Sequence, residues 1–562
     1  MSKLWQSHKP DQFLSQTLSQ ELSVSPLTAQ VLINRGIKTA QAGRSFLRPR
    51  LADLSDPMEL PNVVAAAKRV LLARERSEKI CVFGDYDVDG VTGTAILMHT
   101  LRFLKIPATY YIPHRYGEGY SLSLESVKKI AETGVKLIIT VDCGVSNFKE
   151  IEEANKLGLE VIVTDHHNIP RRLPEAVAIV NPKLADQPTR DLSGAGVAFK
   201  FAWALLRIAG EKDSRFLTSL LDLAALGTVS DVVILTGENR VIAKVGLGLI
   251  NQNMRLGIKH LARIASLPDK ISVNNIYFGL APRINAAGRL EHASKSVDLL
   301  LSDDDVEAQG LAVELNKINV RRQGIGSEIK EEVFAQLTEE YVKNNKVVVL
   351  VGHDWHPGVI GIVASRVVDC YNRPTILIGL NDGVGRGSAR SLAGVNIYKL
   401  LNACSDLFID FGGHAGAAGF EIEADKVDEF RRKINTIVDN YISLNDLAPR
   451  ILIEAELDPA DITLNLAREL EVLDPHGEGN PRPVFMSRKF SVADARKVGK
   501  DGRHLKLKFT NGLEAIGFSL GAFSDGLSYD KVYDIAYRLE ANEWNGFDSA
   551  QLSLVDIREA RT

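Results

Sequence analysis

The run Val82-Phe83-Gly84-Asp85-Tyr86-Asp87-Val88-Asp89-Gly90 sets three carboxylates at alternate positions, directly after the apolar stretch 80–83. The apolar stretch reads as a buried strand. The segment from Gly90 reads as the start of a helix, with Asp89 or Thr92 near its cap. Carboxylates gathered at one strand end repel: at an effective dielectric near 20, each like pair about 4 Å apart costs roughly 4 kcal/mol. Divalent cations relieve that cost, and hard oxygen donors suit Mg²⁺ or Mn²⁺. A solvated acidic turn is the plain alternative for this stretch alone.

Further acids at further strand ends argue against the plain alternative. Thr140-Val141-Asp142-Cys143-Gly144 closes one apolar run, and Val163-Thr164-Asp165-His166-His167 closes the next. One strand-end Asp is ordinarily a turn or cap residue. Asp at three neighbouring strand ends, with histidines beside it, makes a site. His166 and His167 are consecutive and point in different directions. One can ligate a metal while the other reaches a phosphate or water, and Asp165 can orient an imidazole. Leu226-Gly227-Thr228-Val229-Ser230-Asp231 adds a carboxylate after a buried helix.

The elements that must position these groups alternate. Residues 63–74, 95–103, 124–133 and 147–157 have helical patterning; 80–83, 108–112, 137–141 and 161–164 read as strands. That order predicts a parallel sheet covered on both faces, with ligands at the carboxyl ends of its strands. The whole chain, 562 residues with 45% hydrophobic and 25% charged residues, is too long for one core and calls for three or four domains. Cys81, Cys143, Cys370 and Cys404 are too scattered for a disulfide framework or zinc site and read as reduced, buried thiols. No window resembles a membrane span and the N-terminus has no signal-peptide core, so the expected location is cytoplasmic. A net charge of -4 argues against a uniformly basic, duplex-coating protein, but leaves room for a local basic groove.

The motifs Asp85-Tyr86-Asp87-Val88-Asp89-Gly90, Val141-Asp142-Cys143-Gly144, Asp165-His166-His167 and Gly227-Thr228-Val229-Ser230-Asp231 resemble, in this order, those of the DHH phosphoesterase superfamily. The stretches 192–200 and 281–289 resemble its RecJ branch, and the similarity runs from about 45 to 562. The resemblance implies metal ligands at Asp87, Asp89, Asp142, His166 and Asp231, with Asp142 bridging two ions, Mn²⁺ or Mg²⁺. Asp85 belongs to the same motif, as a direct ligand or behind one, and His167 matches a phosphate-side histidine; Asp85, Asp142 and His167 form the implied catalytic set. Related pyrophosphatases carry a histidine where Phe83 stands here, which leaves one metal position looser.

The resemblance also organises the rest. After a helical lead-in at 1–45, read from its own polar helical patterning, it implies an α/β chain with a parallel-sheet DHH catalytic domain at 46–302, a long connecting helix at 303–340, an α/β DHHA1 domain at 341–445 and a C-terminal OB-like β-barrel at 446–562. In the helix, Arg321-Arg322 is a candidate DNA-facing pair, against the reading of a solvated face. In the DHHA1 part, three glycine-rich segments at 352–358, 383–391 and 411–419 suit anion contacts. The implied phosphate-holding residues are Arg289, Ser388 and Arg390, with His414 nearby. In the barrel, period-two runs separated by Asp501-Gly502 and Asn511-Gly512 read as antiparallel strands. Arg496, Lys497, Lys500, Arg503, Lys506 and Lys508 form a basic face, and Phe490, Phe509, Phe518 and Trp544 divide between stacking platforms and barrel core.

The function implied is a two-metal-ion 5′→3′ exonuclease on single-stranded DNA, in recombination and repair, acting as a monomer beside a single-strand-binding protein and a RecQ-type helicase. Two lobes forming a narrow cleft would exclude duplex. Competing readings are a DHH phosphodiesterase acting on short oligonucleotides or cyclic dinucleotides, and a non-catalytic DHH-derived scaffold. The C-terminal barrel disfavours the first, and the full set of carboxylates and histidines disfavours the second.

Overall fold

The computed structural model describes residues 3–560 apart from 116, 117, 120, 444, 545 and 546, and leaves the side chains of 543–547 undescribed. The chain divides into two compact units. One comprises Trp5–Gly288, His292–Leu315 and Ile451–Thr562; the other comprises Met1–Leu4, Arg289–Glu291 and Asn316–Arg450.

The chain begins with a strand, β1 (Leu4–Ser7), where the sequence reading has only helix; β1 pairs with β12 (Arg450–Ile453). Four residues carry too weak a period-two pattern to be seen in isolation, and the partner lies far away in sequence. Helices α1 (Gln12–Leu22), α2 (Pro26–Asn34) and α3 (Ala40–Leu47) follow. Their apolar residues Val31, Leu32 and Phe46 join the core of the C-terminal barrel, so the lead-in is part of that module's packing.

The alternation then appears as expected. After α4 (Val63–Glu75) come β2 (Lys79–Gly84), α5 (Val88–Phe103), β3 (Ala108–Tyr111), α6 (Leu124–Glu132), β4 (Val135–Val141), α7 (Phe148–Lys156), β5 (Glu160–Thr164) and β6 (Ala178–Val180). The five strands form a parallel sheet in the order β3-β2-β4-β5-β6. Apart from an exposed lysine near the start of each, Lys79 and Lys136, the middle strands β2 and β4 are buried because both sheet faces are covered. α8 (Gly194–Ile208), α9 (Ser214–Ser219), α10 (Leu221–Ser230), α11 (Gly237–Gln252), α12 (Leu256–Ile264), α13 (Val273–Asn275), a π-helical turn Ile276–Leu280, α14 (Ala281–Leu290) and α15 (Ser294–Leu301) complete the part of the unit built on this sheet.

The connecting helix is α16 (Asp305–Gln336). On it Arg321 is exposed but Arg322 is buried and donates to Asn319 Oδ1 at 2.5 Å, so the pair does not face outward together. The second unit continues with α17 (Glu339–Asn344), β7 (Val348–His353), α18 (Pro357–Tyr371), β8 (Thr375–Asn381), β9 (Val384–Arg390), α19 (Ile397–Asn402), β10 (Phe408–Gly413), β11 (Ala417–Glu423) and α20 (Val427–Ile437). Its sheet has the order β10-β11-β9-β8-β7, with only the β7–β8 pair parallel.

The C-terminal strands are β13 (Ala455–Glu456), β14 (Phe485–Val498), β15 (His504–Phe509), β16 (Glu514–Gly517), β17 (Val532–Trp544) and β18 (Phe547–Glu559), with α21 (Leu464–Leu470) beside them. A β14–β17 pairing closes the last five into a barrel. Phe490 and Phe509 lie in its core at 3% and 1% exposure and are no stacking platform; Phe518 is 60% exposed. Trp544 has its side chain outside the described residues. The expected basic face is largely compensated, because Arg496, Lys497, Arg503 and Lys506 each meet an acid at 2.7–3.0 Å. All four cysteines are free, but Cys370 is exposed, unlike the other three.

Arg240, on α11, ties the helices packed on the parallel sheet to the barrel's connector. It is 1% exposed, lies over the Phe46 ring at 3.8 Å, and donates to the carbonyls of Phe46, Leu473, Asp474 and Pro475 at 2.7–3.1 Å. Removing it orphans several buried acceptors. Arg240→Met is expected to destabilise this unit by about 3 kcal/mol in urea denaturation, from the cost of unsatisfied buried groups.

Candidate active site

The parallel register aligns the strand ends: Gly84 pairs with Val141, Val141 with Thr164, and Thr164 with Val180. The next residue of each strand is Asp85, Asp142 and Asp165. Their N–H groups extend the ladder, donating to Val141 O at 3.2 Å, Thr164 O at 3.0 Å and Val180 O at 3.1 Å. One layer of backbone therefore presents three aspartates. Asp142 has φ +62°, a left-handed conformation that Asp tolerates better than most residues and that occurs where function holds the backbone in place.

The helix after β2 starts earlier than its sequence pattern suggests. Asp87 is the cap, accepting from Asp89 N at 2.9 Å and Gly90 N at 3.2 Å. Neither Asp89 nor Thr92 plays that part. Asp89, now in the first helical turn, instead caps a different helix: its two oxygens accept from Gly194 N at 2.5 Å and Ala195 N at 2.9 Å at the start of α8. Glycine makes this approach possible. A Cβ on Gly194 would stand 2.7 Å from Asp142 Cβ, and one on Gly227 would stand 2.8 Å from Asp89 Oδ1.

Asp165 is the support of the histidine pair. Its Oδ1 accepts from His166 N at 2.7 Å, His167 N at 3.0 Å and His167 Nδ1 at 2.7 Å; its Oδ2 accepts from Val145 N at 2.9 Å. Burial pushes this carboxyl up, but the bonds from His167 and Val145 outweigh it and hold Asp165 below the ordinary range. For His167, burial acts downward, and Asp165 with the nearby acids outweighs it, so its pKa is raised. His166 is driven down to about 3 by burial, then by His167, and is neutral. Its Nε2 lies 3.1 Å from Asp142 Oδ1, 3.7 Å from Asp231 Oδ2 and 3.9 Å from Asp89 Oδ2.

The remaining acids are under strain of charge. Burial first, then neighbouring carboxylates, raises Asp85 and Asp142 well above the usual range, Asp89 to about 7 and Asp231 to about 9. Asp85 Oδ1 and Asp231 Oδ2 are buried without a hydrogen-bond partner. Three sets of donor atoms lie within 4.8 Å of one another: Asp142, His166 and His167; Asp89, His166 and Asp231; Asp85, Asp87 and Asp142. Carboxylate and neutral imidazole donors fit Mn²⁺ or Mg²⁺, and the overlap at Asp142 and His166 fits two adjacent ions.

Chemistry-bearing residues outside the motifs also gather here. Asn285 Oδ1 accepts from Val88 N at 3.1 Å, fixing the acidic loop against α14. The Arg115 guanidinium lies 4.9 Å over the Tyr86 ring and favours ionised Asp85. Neither was found from sequence. Arg115 stands alone in a loop, and Asn285 acts through a backbone contact nearly two hundred positions away.

In the second unit, Arg289, Ser388 and Arg390 converge on the start of α18. Arg289 Nη1 donates to Gly358 O at 3.0 Å, while Ser388 Oγ and Arg390 Nη2 lie 2.7 Å from where a Cβ of Gly361 would stand. Arg390 Nη1 donates to Ser388 Oγ at 3.2 Å. His414 lies in the β10–β11 turn, its N–H on Ala417 O at 2.8 Å, and Ala417 is the register partner of Arg390.

Residues 79–228 match the DHH family N-terminal domain, 344–440 the DHHA1 domain and 453–556 the RecJ OB domain. The single-stranded-DNA-specific exonuclease RecJ of Bacillus subtilis (strain 168) is 38% identical over 98% of this chain and 70% of its own length. That of Escherichia coli (strain K12) is 34% identical over 97% and 98%.

The chain belongs to the RecJ family.

The crystal structure of RecJ in complex with Mn²⁺ from Thermus thermophilus superposes with a TM-score of 0.87 at 33% identity, covering 100% of this chain and 80% of that one. Against this RecJ frame, the sites named from sequence fall into two groups: the carboxylates and histidines at the sheet's carboxyl edge, and the cationic and hydroxyl residues beside α18.

Asp231 contributes from the end of α10 and makes no strand. Asp231→Asn is expected to keep the fold and lower the Mn²⁺ stoichiometry from two to one in calorimetric titration, with an unchanged far-ultraviolet circular dichroism spectrum.

Proposed function

We propose that this chain is a two-metal-ion exonuclease that hydrolyses single-stranded DNA from its 5′ end. The observation that carries this reading is the overlap of three donor groups, two of carboxylate and imidazole and one of carboxylates alone, at the carboxyl edge of a parallel sheet. In support, RecJ relatives are named as single-stranded-DNA-specific exonucleases, and the chain includes a closed barrel matching the RecJ OB domain.

The ligands in this reading are Asp87, Asp89, Asp142, His166 and Asp231, with Asp142 shared and Asp85 completing the cluster. Divalent ions held by these residues would lower the pKa of a bound water and neutralise charge on an in-line phosphoryl displacement. The protein's part is positioning. The water oxygen adds to phosphorus as the bond to the 3′-oxygen breaks, leaving a mononucleotide and a strand with a new 5′-phosphate. His167, held by Asp165 with its pKa raised, donates to the phosphate under attack. Arg289, Ser388 and Arg390, with His414 beside them, hold the terminal 5′-phosphate, so polarity follows from which end is gripped. The finer reading places the protein in the cytoplasm as a monomer in recombination and repair, beside a single-strand-binding protein and a RecQ-type helicase; family membership supports it.

A single-stranded oligomer labelled at its 3′ end, incubated with Mn²⁺, is expected to give a ladder shortening from the 5′ end. EDTA abolishes it and blunt duplex is spared. Asp142→Ala is expected to reduce cleavage at least about a thousandfold, consistent with loss of a shared metal ligand. Intact oligomer alongside hydrolysed cyclic dinucleotide would replace this reading by the small-nucleotide phosphodiesterase. Arg390→Ala is expected to remove about tenfold of the preference for 5′-phosphorylated over 5′-hydroxyl ends, a loss of one charge-assisted contact.

A further inference from the structure

A cavity of about 680 Å³ lies in the larger unit, away from the acidic cluster. Its walls are α11, the segment 270–272, α21, the connector before the barrel, and the middle of β17. Its size falls in the range of small-ligand sites, roughly 300–1,000 Å³. The wall is braced: Asn251 accepts from Ile271 N at 2.7 Å and donates to Ile271 O at 2.9 Å.

Its chemistry is that of an anion site with an apolar floor. Lys244, Lys270, Arg482 and Arg538 line it, with His476. Glu471, Asp474 and Glu540 line it too, but Glu540 is paired with Arg482 at 3.0 Å. Lys244 Nζ donates to a carbonyl, Asp474 O, at 2.9 Å. Two buried nitrogens here, Arg538 Nε and His476 Nδ1, have no hydrogen-bond partner among the described residues. The cations crowd one another: burial first, then Arg482, lowers Arg538; burial, against Asp474 and with Arg240 and Lys270, lowers Lys244. Burying a donor such as Arg538 Nε without a partner is costly, and a bound anion removes the cost. Leu247, Ile271, Leu470 and Leu539 supply the apolar surface that a base or sugar would cover.

We propose that this cavity is a second phosphate-binding site, distinct from the metal centre, which takes a nucleotide: a free nucleoside monophosphate, or one phosphate and base of a bound strand. The site does not depend on the exonuclease reading, since none of its residues belongs to the acidic cluster or to the group beside α18.

The test uses full-length protein carrying Asp142→Ala in EDTA, so that neither cleavage nor metal-held phosphate contributes. Thymidine 5′-monophosphate, inorganic phosphate and a twelve-residue oligothymidylate are titrated by calorimetry, with Lys270→Glu and Arg538→Gln added singly. If free nucleotide is the source, thymidine monophosphate binds and both variants weaken it about tenfold. If a strand is the source, the monophosphate does not bind and the oligomer's affinity falls by that factor. Affinities unchanged in both variants overturn the proposal, as does tighter binding of an acidic hexapeptide than of any phosphate ligand. Lys270 is exposed, so Lys270→Glu decides the matter should Arg538→Gln fail to fold. The 3′-label cleavage assay on unsubstituted protein reports separately on the exonuclease reading.

Discussion

Mutual repulsion among buried carboxylates is the constraint on which this molecule depends. Asp85, Asp89 and Asp142 are 1–3% exposed and lie within reach of Asp87 and Asp231. No core would gather such groups for stability. The fold keeps them together with rigid parts: the parallel ladder holds Asp85, Asp142 and Asp165 in one layer, and the α8 amides hold Asp89. The charge left over is the binding energy for cations. Glycine at 194 and 227 is part of the same device, because side chains there would push α8 and α10 off the acids.

The histidine pair shows how one carboxylate can set two roles. Asp165 binds the backbone of both histidines and the ring of His167 only. Asp165 with the nearby acids raises the pKa of His167, while burial lowers that of His166. Adjacent residues thus acquire opposite pKa shifts.

Much of the site was legible because its signal is local. The acids of 85–89, 142, 165 and 231 each follow a short apolar run whose element type is plain, and strand ends of a parallel sheet converge by geometry. The cap of α5 was expected at Asp89 or Thr92, since Asp87, Asp89 and Thr92 all have capping side chains and only the folded chain shows Asp87 accepting from the first amides of the helix. The aromatic and basic residues of the barrel were harder. Phe490, Phe509 and Phe518 read alike in sequence, yet two lie on strands inside the barrel core and Phe518 lies in the turn just past β16, exposed. Likewise, the cations of 496–506 meet acids across turns and strands, which a local count of charge does not reveal.

By itself, the sequence determined the class of chemistry and the order of the domains: residue type sets which ions a donor set prefers, and hydrophobic period sets which runs become strands or helices. Only the tertiary structure decided the partnerships. Asp89 against α8, Asn285 against the acidic loop, Arg240 against the connector, β1 beside β12, and the cations of the cavity between α11 and β17 all join residues a hundred or more positions apart. Such contacts leave no periodic trace in the chain. They exist because packing brings backbone amides, carbonyls and charges within a few ångströms, where hydrogen bonding and Coulomb forces act.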